Sequence, residues 1–97
     1  MTQQTEDILV QLRALAPELG RFKARNLKLF GSFARGEAKD SSDVDLLVDF
    51  DAGTSLFDLV HLGDFIEERL NRRVDLVPAD SLRQELRSRV FAEALSI

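Results

Sequence analysis

The chain has 97 residues, a formal net charge of −4 and no cysteine, which bounds it to one small domain, residues 1–97, with no disulfide framework or thiolate metal site. Its 44% hydrophobic and 31% charged residues are an ordinary globular composition. The acidic balance disfavours DNA or RNA as a partner, because such proteins carry a basic footprint.

No apolar run approaches the roughly 18–20 residues that a membrane span needs. The opening MTQQTEDILVQL lacks the basic-then-apolar order of a signal peptide. The expectation is a cytoplasmic protein without membrane association.

In chain order, Thr5 is the expected cap of a first helix, with Glu6 and Asp7 in its first turn, where the helix dipole favours anions. Ile8, Leu9, Leu12, Leu15, Ala16 and Leu19 recur at helical spacing and Gly20 supplies the stop, with Pro17 weakening the end. A basic connector, RFKAR, leads to a short strand, NLKLF. SFARGEA reads as a brief helix opening at Ser32, and KDSS as a polar loop. VDLLVDF is the second strand. Ser55 caps a further helix in which Leu56, Leu59, Val60, Gly63, Ile66 and Leu70 define the apolar face. RRVDLVP is the third strand, stopped by Pro78. Asp80 or Ser81 caps the last helix, where Leu82, Leu86, Val90 and Ala94 follow a spacing of four.

Three strands alternating with helices predict an α/β (α+β) domain, a three-stranded or slightly larger mixed sheet with helices on one face. The other face is left for a ligand. Phe30, Phe50, Phe65 and Phe91 are the expected aromatic core.

Candidate chemistry begins at Asp43 and Asp45. Side chains alternate along a strand, so these two share one face while Val44, Leu46, Val48 and Phe50 pack on the other. Two close carboxylates repel unless a cation lies between them, and Mg²⁺ suits carboxylate plus phosphate oxygens. Asp75 stands in the same relation to its own strand. Three carboxylates on one face suit two metal ions and in-line displacement at phosphorus. Upstream, Gly31 allows close backbone approach, Ser32 offers free N–H groups for phosphate, and Arg35 lies one turn on.

Each element alone has a plainer reading. Acids near turns are commonly caps, and Gly-Ser after a strand is commonly a turn. An EF-hand fails, because Leu47 and Val48 occupy positions that need a ligand and a glycine. His61 reads as a structural or surface residue, and Arg21, Lys23, Arg25 and Lys28 as a solvated connector or a partner patch.

Together, Gly31-Ser32, ten intervening residues and Asp43-Val44-Asp45 resemble the signature of the DNA polymerase beta-like nucleotidyltransferase superfamily. GSFARGEAKDSSDVDLLVDF followed by RRVDLVPADSLRQELRSRV resembles the minimal nucleotidyltransferases (MNT), the antitoxin half of HEPN–MNT toxin–antitoxin pairs. Gly31, Ser32, Arg35, Gly36, Ser42, Asp43, Asp45 and Asp75 match that pattern. The resemblance implies the nucleotidyltransferase fold and transfer of AMP from ATP. Asp43 and Asp45 would bind Mg²⁺ and the triphosphate, and Asp75 would help activate the incoming hydroxyl as metal ligand or base. Gly31 and Ser32 would cradle phosphate, with Arg35 and Ser42 in the nucleotide site; Arg35 could instead hold its loop by pairing with a nearby acid. The implied acceptor is a tyrosine of a HEPN ribonuclease toxin, both partner and substrate. Relatives that act on antibiotics, RNA or DNA carry extra domains for those acceptors, so a chain this short is expected to borrow its acceptor site from a partner. The competing reading is a non-catalytic antitoxin that neutralises its partner by binding alone.

Overall fold

The computed structural model describes residues 1–97. The first apolar stripe forms α1 (Gln3–Leu15), burying Ile8, Leu9, Leu12 and Leu15. Its cap is Thr2, whose hydroxyl accepts the Thr5 N–H, not Thr5 as expected. Thr5 lies inside α1, buried, and its hydroxyl donates to the Phe33 carbonyl. Two threonines three residues apart offer the same capping chemistry, and only packing selects between them. The helix stops at Leu15, and Ala16–Phe22 continues as a 3₁₀ run with Pro17 near its start, ended by Lys23 at φ 61°. Pro17 lacks the N–H that an α-helical continuation would use.

The next element, β1 (Ala24–Phe30), begins two residues before the predicted strand and leads into α2 (Gly31–Arg35). Then come β2 (Val44–Phe50) and α3 (Leu56–Leu70). Ser55 caps α3 as expected, and the Asp58 carboxylate accepts the Ser55 N–H in return, completing a capping box. β3 (Val74–Pro78) follows, then a 3₁₀ turn at Ala79–Ser81, which replaces the predicted helix start at Asp80 or Ser81. α4 spans Gln84–Glu93, and β4 is the pair Leu95–Ser96.

The sheet has the order β3-β2-β1-β4. β1 is antiparallel to β2 and β4, and β2 is parallel to β3 across the α3 crossover. The α/β class and the mixed sheet agree with expectation, and the sheet gains a fourth strand. Helix α4 ends before Ala94, and Leu95 and Ser96 pair with Leu29 and Lys28. Leu95 and Ile97 can then pack against the core.

That core lies between the sheet and α1 and α3. Leu27 and Leu29 of β1, Val44, Leu46 and Val48 of β2, and Leu62, Ile66 and Leu70 of α3 join the α1 stripe around Phe33. Fully burying one such Leu or Ile stabilises by about 1.5–3 kcal/mol relative to leaving it exposed. The α3 face differs from the predicted one, because Leu56 and Val60 are exposed. Leu62, Ile66 and Leu70 set the buried stripe, with Leu59 packed against it. The aromatic core also differs. Phe33 is the fully buried ring; Phe30, Phe50 and Phe65 are half-buried and Phe91 is exposed. Phe22 and Phe65 stack with centroids 5.0 Å apart under Arg21 and Arg69.

Packing is not confined to one face. Leu47 points away from the main core yet is buried, as are Ala79 and Val90. Phe91 of α4 lies beside Leu47 and Ala79, and the Lys28 ammonium sits 5.1 Å from its ring centroid. An apolar residue at an odd position of β2 requires cover, and α4 supplies it.

The Asp58 carboxylate is held below its ordinary value of 3.8, first by the Ser55 N–H and also by the Lys23 ammonium. A depressed folded pKa gives stability that is present above the unfolded value and is lost as pH falls through the folded one. Asp58→Ala should therefore be less stable than the parent at neutral pH. The gap should narrow as pH drops below about 4, measured by urea unfolding across a pH series.

Candidate active site

The strand register assembles the site. Leu27 and Leu29 pair with Val48 and Leu46 on the core side, which sets Phe30 opposite Asp45. Gly31 follows immediately, buried, at φ +74°. A Cβ built there would lie 2.1 Å from Asp45 Oδ2, so no other residue fits without displacing that carboxylate.

On the opposite side of β2, the parallel register puts Asp45 beside Asp75. Neighbouring residues in register share a face of the sheet, so the two acids stand side by side. Asp43 precedes β2, and its Oδ1 lies 3.1 Å from Arg73 Nε, with both side chains well exposed. The backbone therefore presents the three predicted acids at one end of one face. The side chains are not drawn into a ready cage, since no three acidic or imidazole groups converge closely enough to hold an ion. Arg73 draws Asp43 aside.

The electrostatics concentrate on Asp45. Burial pushes its pKa above the ordinary 3.8, the charges of Asp75 and then Asp43 push it further, and Arg35 opposes them. Each of these upward forces penalises negative charge, and a divalent cation among the carboxylates would relieve the repulsive part. The donor set, hard oxygens with room for more, suits Mg²⁺.

Beside the acids is an anion-accepting corner. The Gly31 N–H donates to Glu93 Oε2 at 2.9 Å, and Arg35 Nη1 reaches the same oxygen at 2.9 Å. Arg35 Nε is paired with Glu37 at 2.9 Å. The pairing of Arg35 with a nearby acid, one of its two anticipated roles, is thus present twice. Ser32 is half-buried in the first turn of α2. Ser42 is engaged elsewhere, because its hydroxyl accepts the Lys39 N–H at 2.8 Å and closes the 39–42 turn.

Glu93 was not foreseen. It lies 62 residues from Gly31, and its only sequence signal is a position at the end of the last helix. Arg73, which with Arg72 opens RRVDLVP as a candidate contact to phosphate or partner, pairs here with Asp43. His61 is exposed on α3. The basic connector is internally partnered: Arg21 with Glu18, Lys23 with Asp58 and Arg25 with Asp51.

Comparison with known proteins bears on the family and the fold. The family model described as nucleotidyltransferase domain matches residues 12–97. A chain from Thermococcus cleftensis named protein adenylyltransferase MntA is 43% identical over 77 residues, 79% of this chain and 78% of that one. A solved structure of a candidate minimal nucleotidyltransferase superposes with a TM-score of 0.86 at 37% identity, covering 98% of this chain and 97% of the other. A toxin–antitoxin structure with AMP-PNP superposes with a TM-score of 0.67 at 25% identity, over 95% of this chain and 70% of that one. With a family model spanning nearly its whole length and the fold of a minimal nucleotidyltransferase, this chain belongs to the nucleotidyltransferase domain family.

Proposed function

We propose that this nucleotidyltransferase moves AMP from ATP to a tyrosine hydroxyl of a cognate HEPN ribonuclease toxin, and so acts as its antitoxin. One observation carries the reading: Asp45 lies between Asp75 and a glycine whose amide already donates to an anionic oxygen. Acid pairs occur on many sheets, but an acid pair adjoining an anion acceptor is what transfer of a phosphoryl-linked group requires. The toxin–antitoxin structure with AMP-PNP and the relative named protein adenylyltransferase support the nucleotide and the class of acceptor.

In this reading the Gly31 N–H, Ser32 and Arg35 bind the triphosphate, and Ser42 contributes by shaping the loop that precedes the acids. Asp43, Asp45 and Asp75 would hold Mg²⁺, two ions being the number three carboxylates can serve. Bound there, Mg²⁺ would neutralise phosphate charge and stabilise the leaving oxygen. The acceptor oxygen forms a bond to the α-phosphorus as the bond from that phosphorus to the bridging oxygen breaks. Pyrophosphate leaves with the electron pair. The hydroxyl proton passes to the Asp75 carboxylate, which is exposed on the sheet face where an acceptor can approach. For Asp43 to hold an ion, it would have to leave Arg73. An exposed pair of this kind contributes about 0–1 kcal/mol, so little opposes the exchange. The site is intracellular in this reading, since ATP and the toxin are.

The deciding experiment combines the protein with the product of the neighbouring gene, ATP and Mg²⁺, followed by intact mass of that neighbour. The expected result is a gain of one or more AMP units, absent with Asp43→Ala/Asp45→Ala. Neutralisation that survives the double substitution without an adduct would instead identify an antitoxin acting by binding alone.

Two further substitutions separate the roles. Asp75→Asn should lower the single-turnover rate by on the order of a hundredfold or more, the usual contribution of a positioned general base, while AMP-PNP still binds. Gly31→Ala should abolish transfer and also lower the unfolding midpoint. It places a Cβ in the space of Asp45 Oδ2 and strains a left-handed backbone, at about 1–2 kcal/mol for the backbone alone.

A further inference from the structure

Glu93 Oε2 accepts both the Gly31 N–H and Arg35 Nη1, each at 2.9 Å. We propose that this carboxylate stands in for a nucleotide phosphate oxygen, and that it must leave both donors when the nucleotide binds. The inference rests on the nucleotide reading above and adds a competitor built into the chain.

Three observations carry it. The first is chemical. A single anionic oxygen shared by a backbone amide and a guanidinium is how proteins hold phosphate oxygens. Here the oxygen belongs to a residue 62 positions away.

The second is electrostatic. Glu93 adds negative charge beside Asp45, which already feels Asp75 and Asp43. A carboxylate there is opposed by its neighbours and held by its two donors. A phosphate arriving with a cation would meet the same donors and bring the charge that the acids lack.

The third is mechanical. Arg35 is gripped twice, by Glu37 at Nε and by Glu93 at Nη1. When Glu93 departs, Glu37 still holds the guanidinium, leaving Nη1 free for a phosphate oxygen. The backbone around Glu93 need not move. The Ala94 N–H donates to the Val90 carbonyl, Leu95 and Ser96 pair with β1, and the Ile97 N–H donates to the Leu27 carbonyl. Release is a side-chain rotation at the end of α4, next to a strand that stays paired.

Glu93 therefore shields these two donors and reduces apparent nucleotide affinity by the fraction of molecules in which it is seated. The test is calorimetric titration of AMP-PNP with Mg²⁺ into the full chain. Glu93→Gln keeps the shape and removes the charge, and Glu93→Ala removes the competitor. Both should bind more tightly than the parent, by about threefold or more if Glu93 is seated most of the time. Equal or weaker binding in the variants would overturn the proposal and make Glu93 a support for Arg35.

A second measurement needs no variant. In the isotope-labelled parent, tripolyphosphate should shift the Gly31 amide and the Glu93 side-chain carboxyl resonances together. Binding that moves the Gly31 amide and leaves the Glu93 carboxyl unmoved would also overturn it. A parent chain that takes up neither AMP-PNP nor tripolyphosphate would remove the nucleotide reading itself, and this inference with it.

Discussion

The absence of one Cβ, at Gly31, is the constraint on which the site turns. Asp45 Oδ2 lies 2.1 Å from where that atom would be, so the carboxylate and the backbone corner share one space. The arrangement needs Phe30 opposite Asp45, and that pairing belongs to the same register that seats Leu27 and Leu29 against Val48 and Leu46. A slip of one residue would turn the apolar side of β2 outward and its acids inward. Core packing and site geometry are therefore one condition. These four core residues of β1 and β2 also fix where the acid meets the amide.

The second acid arrives by a different route. Asp75 is some 30 residues beyond Asp45 in the sequence, and a parallel neighbour needs a crossover of a dozen or more residues. Helix α3 provides it, anchored in the core by Leu62, Ile66 and Leu70. The entry to β3 is then pinned twice. The Val74 N–H donates to Glu67 Oε2 at 2.8 Å, and the Val44 N–H donates to the Arg73 carbonyl at 2.9 Å. These bonds lie one residue before Asp75 and Asp45. They set the depth at which the two strands present their acids.

The parts of this arrangement legible in the sequence are those with a local period. The alternation in VDLLVDF and VDLVP gives both strands and the face of each acid, and Ser55 before an apolar run gives the start of α3. The parts that were not legible depend on distant contacts. Thr2 and Thr5 are equivalent as caps until Phe33 offers its carbonyl to one of them. Phe33 is one of seven phenylalanines, and nothing local marks it as the fully buried one. A two-residue strand has no periodicity, so Leu95–Ser96 could be recognised only once β1 was in place. Leu47 breaks the polar face of β2, and that single apolar residue was the available hint that α4 covers part of it. Glu93 has no motif at all. Its meaning comes from the Gly31 amide 62 residues away.

Charge accounting joins these pieces. The free chain holds its site charges in pairs of its own making: Asp43 with Arg73, and Arg35 with Glu93 and Glu37. Asp45 is left without an ion pair, raised by burial and by its fellow carboxylates against the opposing charge of Arg35. A site built only for stability would not keep such a group, since an uncompensated carboxylate in a half-buried position is a standing cost. The pairs that border it are exposed enough to exchange at little expense. In the proposed function, a metal–triphosphate would bring cation and anion together, satisfying Asp45 while replacing Arg73 at one border and Glu93 at the other. That exchange would give a reason for the anion-accepting corner and the acids to adjoin. On that proposal, a cation alone or a phosphate alone would leave a charge behind.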